Sequence, residues 1–190
     1  MRMNKNHRSI ITISRFIVLS LFAVVTLNAQ IKINKNLPDL VLRKDKGGNI
    51  NGNEWKSSDL KNKLNIVFYV APNQQKDVES LLNKIDSKAY SRKSVQVTMV
   101  INTEATWIPI GIIEGKVKGR AKEDATKSYV LDNDEVLLKG WNLSEDNPNI
   151  IVVDATGKVI SFFNEKLTDD IANKLLSIIE KEIKKEGVLK

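Results

Sequence analysis

The chain of 190 residues contains no cysteine and a single histidine, His7. Without a thiol it cannot form a disulfide bond, carry out thiol–disulfide exchange or use a cysteine nucleophile. Catalytic Ser–His–Asp triads and the usual zinc and copper sites depend on histidine or cysteine, and the one histidine lies in the N-terminal segment. We therefore expect no catalytic residue, no metal and no cofactor, and we interpret the protein as a non-enzyme.

The N-terminal segment, residues 1–29, contains no aspartate or glutamate. A basic region comes first and contains Arg2, Lys5, Arg8 and Arg15. An uncharged, mostly apolar stretch over residues 16–27 follows, and the small residue Ala29 comes shortly after it. This order is typical of a secretory signal peptide, and the apolar stretch is too short for a membrane span of about 20 residues. We predict a signal peptide over residues 1–29 that is cleaved after Ala29.

Export would place the mature protein, residues 30–190, in the periplasm with no stable membrane insertion. The alternative is an uncleaved signal that anchors the protein in the membrane, since Leu27 stands where a small residue is preferred. Removal of the segment lowers the formal net charge from +7 to +3, because four positive charges are lost. So small a charge does not favour a nucleic-acid partner. The remaining chain of about 160 residues is long enough for one domain with its own core.

Two continuous apolar runs, residues 64–70 and 95–101, are typical of strands that are buried on both faces. The segment between them carries apolar residues at helical spacing, namely Val78, Leu81, Leu82 and Ile85. Asn73 is the predicted N-cap of this helix. A strand, a helix and a second strand in this order predict a βαβ unit with parallel strands.

The second half of the chain continues with shorter elements. The patterns predict a weak helix over residues 112–124, strands over 129–132, 150–153 and 158–163, and a final helix capped by Thr168. A turn signal, Asp154-Ala155-Thr156-Gly157, separates the last two strands and predicts a β-hairpin. Residues 132–135 lack the ligand spacing of an EF-hand, and we interpret them as a turn. We expect Trp55 and Trp141 in the core.

This order of a βαβ unit, a connecting helix, a hairpin and a final helix resembles that of thioredoxin-like proteins. Pro148 lies just before the hairpin, where thioredoxin-like proteins have a cis-proline. The resemblance implies an α/β fold, namely a three-layer sandwich with a central mixed β-sheet and an N-terminal extension. It also implies a cis bond between Asn147 and Pro148, although only about 5–6 % of X–Pro bonds in folded proteins are cis.

A narrower resemblance covers most of the chain after residue 30. Short motifs recur in the order that is found in the YtfJ family of periplasmic proteins. They are Trp55 with Leu60, Val70-Ala71, Ile101-Asn102-Thr103, Tyr129-Val130-Leu131-Asp132, Trp141-Asn142-Leu143, Ile151-Val152-Val153-Asp154 and Gly157-Lys158-Val159. The resemblance implies an exported protein with a thioredoxin-like fold and no settled biochemical activity. One departure is the segment 165–167, where the family tends to have a glycine.

The candidate site follows from the place where thioredoxins carry their Cys-x-x-Cys motif, at the junction of the first core strand and its helix. Residues 71–75 occupy that place here, and their side chains are polar but cannot form a thiolate. Trp107 lies in a loop beside apolar residues, which is typical of an interface. The predicted binding surface for an unidentified protein or peptide comprises Asn73, Gln74, Gln75, Trp107, Asn147 and Pro148.

Several alternatives remain open from the sequence. Residues 73–75 could be no more than the start of a helix, and Trp107 could cover the edge of the sheet. The basic residues Lys116, Lys118, Arg120 and Lys122 are interpreted as a solvated helix face. At the level of function, the alternatives to a redox-inactive binding module are an envelope regulatory protein and a non-thiol enzyme that uses carboxylates.

Overall fold

The computed structural model describes residues 30–188 and has eight β-strands and four α-helices in that range. The strands are β1 (Val41–Leu42), β2 (Gly47–Asn49), β3 (Trp55–Lys56), β4 (Leu64–Val70), β5 (Val95–Asn102), β6 (Lys127–Asp132), β7 (Asn149–Val153) and β8 (Val159–Phe163). The helices are α1 (Gln75–Ser87), α2 (Ile110–Glu123), α3 (Val136–Trp141) and α4 (Asp169–Val188).

Six strands form the central sheet in the order β2-β6-β5-β4-β7-β8. Strands β4, β5 and β6 run parallel, whereas β2, β7 and β8 pair antiparallel with their neighbours. All seven residues of β4 are buried, because β5 and β7 flank it and other elements cover both of its faces. The predicted parallel βαβ unit and the C-terminal hairpin are confirmed.

The two faces of the sheet carry two separate hydrophobic cores. Side chains of β4 alternate between them, so that Ile66 and Phe68 face one core and Val67 and Tyr69 face the other. Helices α1, α2 and α4 supply the first core with Leu81, Ile113, Leu175 and Ile179 among others. The second core contains Leu42, Trp55, Leu137 and Trp141, which come from the N-terminal extension and from α3. The predicted three-layer α/β arrangement and the buried positions of Trp55 and Trp141 are confirmed.

The N-terminal extension, residues 30–60, reaches both the second core and one edge of the sheet. Asn34 donates its backbone N–H to the carbonyl of Val159, and the N–H of Val159 donates to the carbonyl of Lys35. These bonds cover the start of β8, which is otherwise an edge strand. On the second core, the indole of Trp141 donates to the carbonyl of Pro38 at 3.0 Å. The extension is therefore joined to the most C-terminal strand and to α3.

Helix boundaries differ from the predicted ones in the middle of the chain. Helix α2 begins at Ile110, two residues before the predicted start, and α3 occupies a segment for which the sequence suggested only a turn at its beginning. The final helix begins as predicted, since the hydroxyl of Thr168 accepts a hydrogen bond from the N–H of Ile171 at 3.3 Å. The predicted signal peptide lies outside the described residues.

Candidate binding surface

The first helix starts with a turn of 3₁₀ helix that the sequence did not predict. Residues 72–74 form this turn directly after β4, and α1 continues from Gln75. Pro72 favours an early start, because proline lacks an N–H and fits the first position of a helical turn. Asn73 therefore lies inside the turn, and its prediction as the N-cap was wrong. The first backbone N–H, that of Ala71, is instead bound by the side chain of Gln74 at 3.0 Å.

Gln74 is buried and uses both ends of its amide inside the protein. Its oxygen accepts the bond from Ala71, and its nitrogen donates to the carbonyl of Glu145 at 3.0 Å. The side chain thus joins the start of α1 to the loop before β7. Asn73 is exposed and Gln75 is half-buried, so these two neighbours keep access to solvent.

The loop that contains Pro148 is held together by the side chain of Asn149. The Asn149 amide accepts the N–H of Ser144 at 2.8 Å and donates to the carbonyls of Ser144 and Asn147 at 2.8 and 3.1 Å. Every peptide bond in the described residues is trans, so the expected cis bond at Pro148 was wrong. Trans is the preferred state of an X–Pro bond, and the Asn149 hydrogen bonds shape the loop around it. Pro148 is buried and offers no surface to a ligand.

Asn73 and Gln75 line a cavity of about 540 Å³ between the start of α1 and α2, which we call the α1–α2 groove. Its apolar lining comes from Ile108, Ile113 and Val117, while charged side chains stand around it. The complete lining is Pro72, Asn73, Gln75, Thr106, Ile108, Ile113, Lys116, Val117, Gly119, Arg120 and Glu123. The structure therefore brings together two of the predicted site residues here, whereas Gln74, Asn147 and Pro148 do not line the groove.

Trp107 stands beside this groove, because its chain neighbours Thr106 and Ile108 both line it. Its side chain is 92 % exposed, which excludes the alternative that it covers the edge of the sheet. Ile110 and Ile112 are also exposed, and with Trp107 they form what we call the Trp107 patch. Only two other large hydrophobic side chains in the described part of the chain are exposed, Ile33 and Val41. Exposed apolar surface is thus concentrated next to the groove.

The groove has a positive rim on its α2 side. Lys116 makes no salt bridge within the described residues, and Arg120 donates to the side-chain oxygen of Gln75 across the groove. Glu123 is the one acidic side chain that lines the groove. On the neighbouring face of α2, Lys118 pairs with Glu114 at 2.6 Å. The rim therefore favours a ligand that carries negative charge or several carbonyl groups.

A buried carboxylate at the end of β6 is the polar feature that the sequence did not single out. Asp132 is completely buried and accepts hydrogen bonds from the backbone N–H groups of Val136 at 2.8 Å and Leu137 at 2.9 Å, and from the hydroxyl of Tyr69 at 3.2 Å. Burial raises the pKa of Asp132 above its ordinary value, and burial beside Asp132 raises the pKa of the Tyr69 hydroxyl. The pair is closed to solvent, so it holds α3 in place and does not reach a bound ligand.

The groove contains no ready metal site. Across the described residues, no three side chains of the metal-ligating types His, Cys, Asp or Glu come together. A search of the same residues for a helix long and apolar enough to cross a membrane found none.

Comparison with known proteins gives two kinds of similarity. Residues 27–182 match the model of a family described as a bacterial protein of unknown function, YtfJ_HI0045. An uncharacterized protein of Haemophilus influenzae is 26 % identical over 129 residues, covering 66 % of this chain and 70 % of that protein. The uncharacterized protein YtfJ of Escherichia coli K12 is 22 % identical over 149 residues, covering 77 % and 79 %.

Among solved structures, the exposed lipoprotein thioredoxin of Streptococcus pneumoniae superposes with a TM-score of 0.56. The match covers 76 % of this chain and 99 % of that one, at 16 % sequence identity, and it therefore concerns the fold alone. The predicted thioredoxin-like fold is confirmed. Because the family model spans most of the chain, this protein belongs to the YtfJ family of bacterial proteins of unknown function.

Proposed function

We propose that this protein is a redox-inactive thioredoxin-like module of the periplasm that binds an extended segment of another protein at the α1–α2 groove and the Trp107 patch. The observation that carries the proposal is the concentration of exposed apolar side chains. Three of the five exposed large hydrophobic residues in the described chain lie within residues 107–112, beside a groove of about 540 Å³. Isolated exposed apolar residues are ordinary, but an exposed cluster next to a cavity is typical of an interaction site.

The chemistry of the groove favours a particular kind of segment. An aliphatic or aromatic side chain would occupy the apolar lining formed by Ile108, Ile113 and Val117. An acidic residue beside it would meet Lys116 and Arg120 on the rim. Trp107 would pack on the remainder of the segment, and tryptophan is among the residues that most often dominate binding energy. The preferred partner is therefore a protein that presents an apolar residue flanked by acidic ones.

The absence of cysteine supports binding without redox chemistry. Residues 71–75 contain no group that can form a thiolate, although they occupy the junction of the first core strand and its helix. Asp132 is the one carboxylate on which several internal hydrogen bonds converge near this end of the sheet, and it is closed to solvent. We infer that the site recognises a partner and does not transform it.

The test compares substitutions in the Trp107 patch with a matched one elsewhere. Trp107→Ala and Ile112→Ala are expected to weaken binding to apolar–acidic peptides by at least about tenfold, because each removes contact area at the centre of the interface. Ile33→Ala is the control, since Ile33 is 49 % exposed and Ile112 is 52 % exposed. Binding is measured by fluorescence anisotropy with an array of labelled short peptides in which one leucine is flanked by glutamates or by lysines.

Folding provides the internal check on this test. All three variants are expected to keep the free energy of unfolding within about 0.5 kcal/mol, because the replaced side chains are on the surface. Preferential binding of the glutamate peptides, lost on raising the salt concentration and in Lys116→Gln, would support the charged rim. Equal binding of all peptides to Ile33→Ala and Ile112→Ala, or no binding to any of them, would overturn the proposal.

A further inference from the structure

A second cavity lies at the opposite end of the sheet, where β5 and β6 begin. Its volume is about 360 Å³, which is within the range of small-molecule sites. Ile85 at the end of α1 and Val95 and Val97 of β5 supply apolar walls. The full lining is Ile85, Asp86, Ala89, Tyr90, Arg92, Val95, Val97, Asp124, Thr126 and Lys127. None of these residues lines the α1–α2 groove, so the two cavities are separate.

Tyr90 contributes an unpaired polar atom to this region. Its hydroxyl is buried and is the only buried side-chain nitrogen or oxygen in the described chain that lacks a hydrogen-bond partner. A buried hydroxyl without a partner costs about 1–3 kcal/mol, so such groups are rare in native proteins. Burial also raises the pKa of this hydroxyl, which therefore stays protonated and able to donate. A tyrosine rather than a phenylalanine at this position calls for a ligand atom.

The charges around the cavity are unevenly satisfied. The side chain of Lys127 is only 6 % exposed and lies between two carboxylates, 2.7 Å from Asp86 and 2.5 Å from Asp124. Asp124 also accepts bonds from the backbone and the hydroxyl of Thr126, so its oxygens are occupied. The two acidic groups are thus neutralised within the protein, and they leave little capacity for a cationic ligand.

Arg92 is the charged group that remains available. One guanidinium nitrogen reaches the carbonyl of Ala125 at 3.4 Å, which is a long bond, and no carboxylate pairs with Arg92 in the described chain. A guanidinium has five N–H donors in a planar fork that matches a carboxylate. The contact with Ala125 places this fork beside the loop that closes the cavity.

We propose that this cavity binds a small aliphatic monocarboxylate. The carboxylate pairs with the guanidinium of Arg92, the hydrocarbon chain packs on Ile85, Val95 and Val97, and the hydroxyl of Tyr90 donates to the ligand. Overall neutrality of the cavity without Arg92 excludes a strongly polyvalent ligand, and its apolar walls favour a hydrocarbon chain over a sugar. This site would operate whether or not the α1–α2 groove binds a protein segment.

The probe is sodium hexanoate, titrated into the ¹⁵N-labelled full-length protein. We expect saturable chemical-shift changes confined to residues 85–97 and 124–127. Hexanamide, which lacks the charge, and acetate, which lacks the chain, are both expected to bind at least about tenfold more weakly, since a hydrogen bond to a charged group and the burial of methylenes each contribute that much. Shifts spread over the whole surface, or equal binding of hexanoate and hexanamide, would overturn the proposal.

Two variants test the assigned residues. Arg92→Gln is expected to weaken hexanoate binding about tenfold, whereas Arg43→Gln, which removes the same charge from an exposed position elsewhere, leaves it unchanged. Tyr90→Phe is expected to weaken binding several-fold without lowering the melting temperature, because it removes a hydroxyl that has no partner in the protein. Equal effects of Arg92→Gln and Arg43→Gln, or a Tyr90→Phe protein that binds as tightly as the parent, would contradict the assignment.

Discussion

Trp141→Ala is expected to lower the free energy of unfolding by about 3–5 kcal/mol, the usual cost of truncating a large buried aromatic side chain. Trp141 is fully buried, packs edge-on against Trp55 with 6.2 Å between the ring centroids, and donates its indole N–H to the carbonyl of Pro38. The substitution leaves a cavity in the second core and removes the link between α3 and the N-terminal extension. Urea denaturation followed by far-UV circular dichroism measures the change.

The same substitution at Trp107 is the matched control. Trp107 is 92 % exposed, so Trp107→Ala is expected to change the free energy of unfolding by no more than about 0.5 kcal/mol. Two tryptophans of one chain would then separate core packing from surface recognition. A loss below about 1 kcal/mol for Trp141→Ala would show that the second core does not depend on this ring.

Asp132→Ala is expected to destabilise the protein by about 2–4 kcal/mol, because three buried donors lose their acceptor. These donors are the N–H groups of Val136 and Leu137 and the hydroxyl of Tyr69. Tyr69→Phe removes only one of the three bonds and is expected to cost about 1 kcal/mol. Equal losses for the two variants would contradict the role of Asp132 as the acceptor that holds the start of α3.

The pH dependence of the same residue has a definite sign. Burial raises the folded-state pKa of Asp132 above 3.8, so the folded protein holds this proton more tightly than the unfolded chain. Its contribution to stability is complete below pH 3.8 and is lost as the pH rises through the folded-state pKa. The difference in unfolding free energy between the parent and Asp132→Asn should therefore shift against the parent as the pH rises from about 4 upward. Measuring both proteins at each pH cancels the other carboxylates.

The central part of the fold was predictable because its strands are continuous apolar runs. Strand β4 is buried on both faces, and so its sequence carries no polar interruption apart from Asn65. The short strands β1, β2 and β3 have only two or three residues, too few for a period to show. Helix α3 has six residues, and it begins only because Asp132 binds its first N–H groups from the end of β6.

The candidate site was predictable only in part, for a similar reason. Exposure of Trp107 and the position of Asn73 and Gln75 follow from local sequence, and the structure places them around one groove. The burial of Gln74 depends on a bond to Glu145, 71 residues away, which no local pattern reveals. The unpaired hydroxyl of Tyr90 is likewise visible only once α1 and β5 have packed around it.

The attachment of the N-terminal extension has a consequence for the order of folding. Trp141 and Pro38 are 103 residues apart in sequence, and Asn34 and Lys35 bond to a strand that lies even farther along the chain. Contacts of such high sequence separation require loop closure and form late. The segment that leaves the ribosome among the first is thus expected to find its place last, once the C-terminal hairpin exists to receive it.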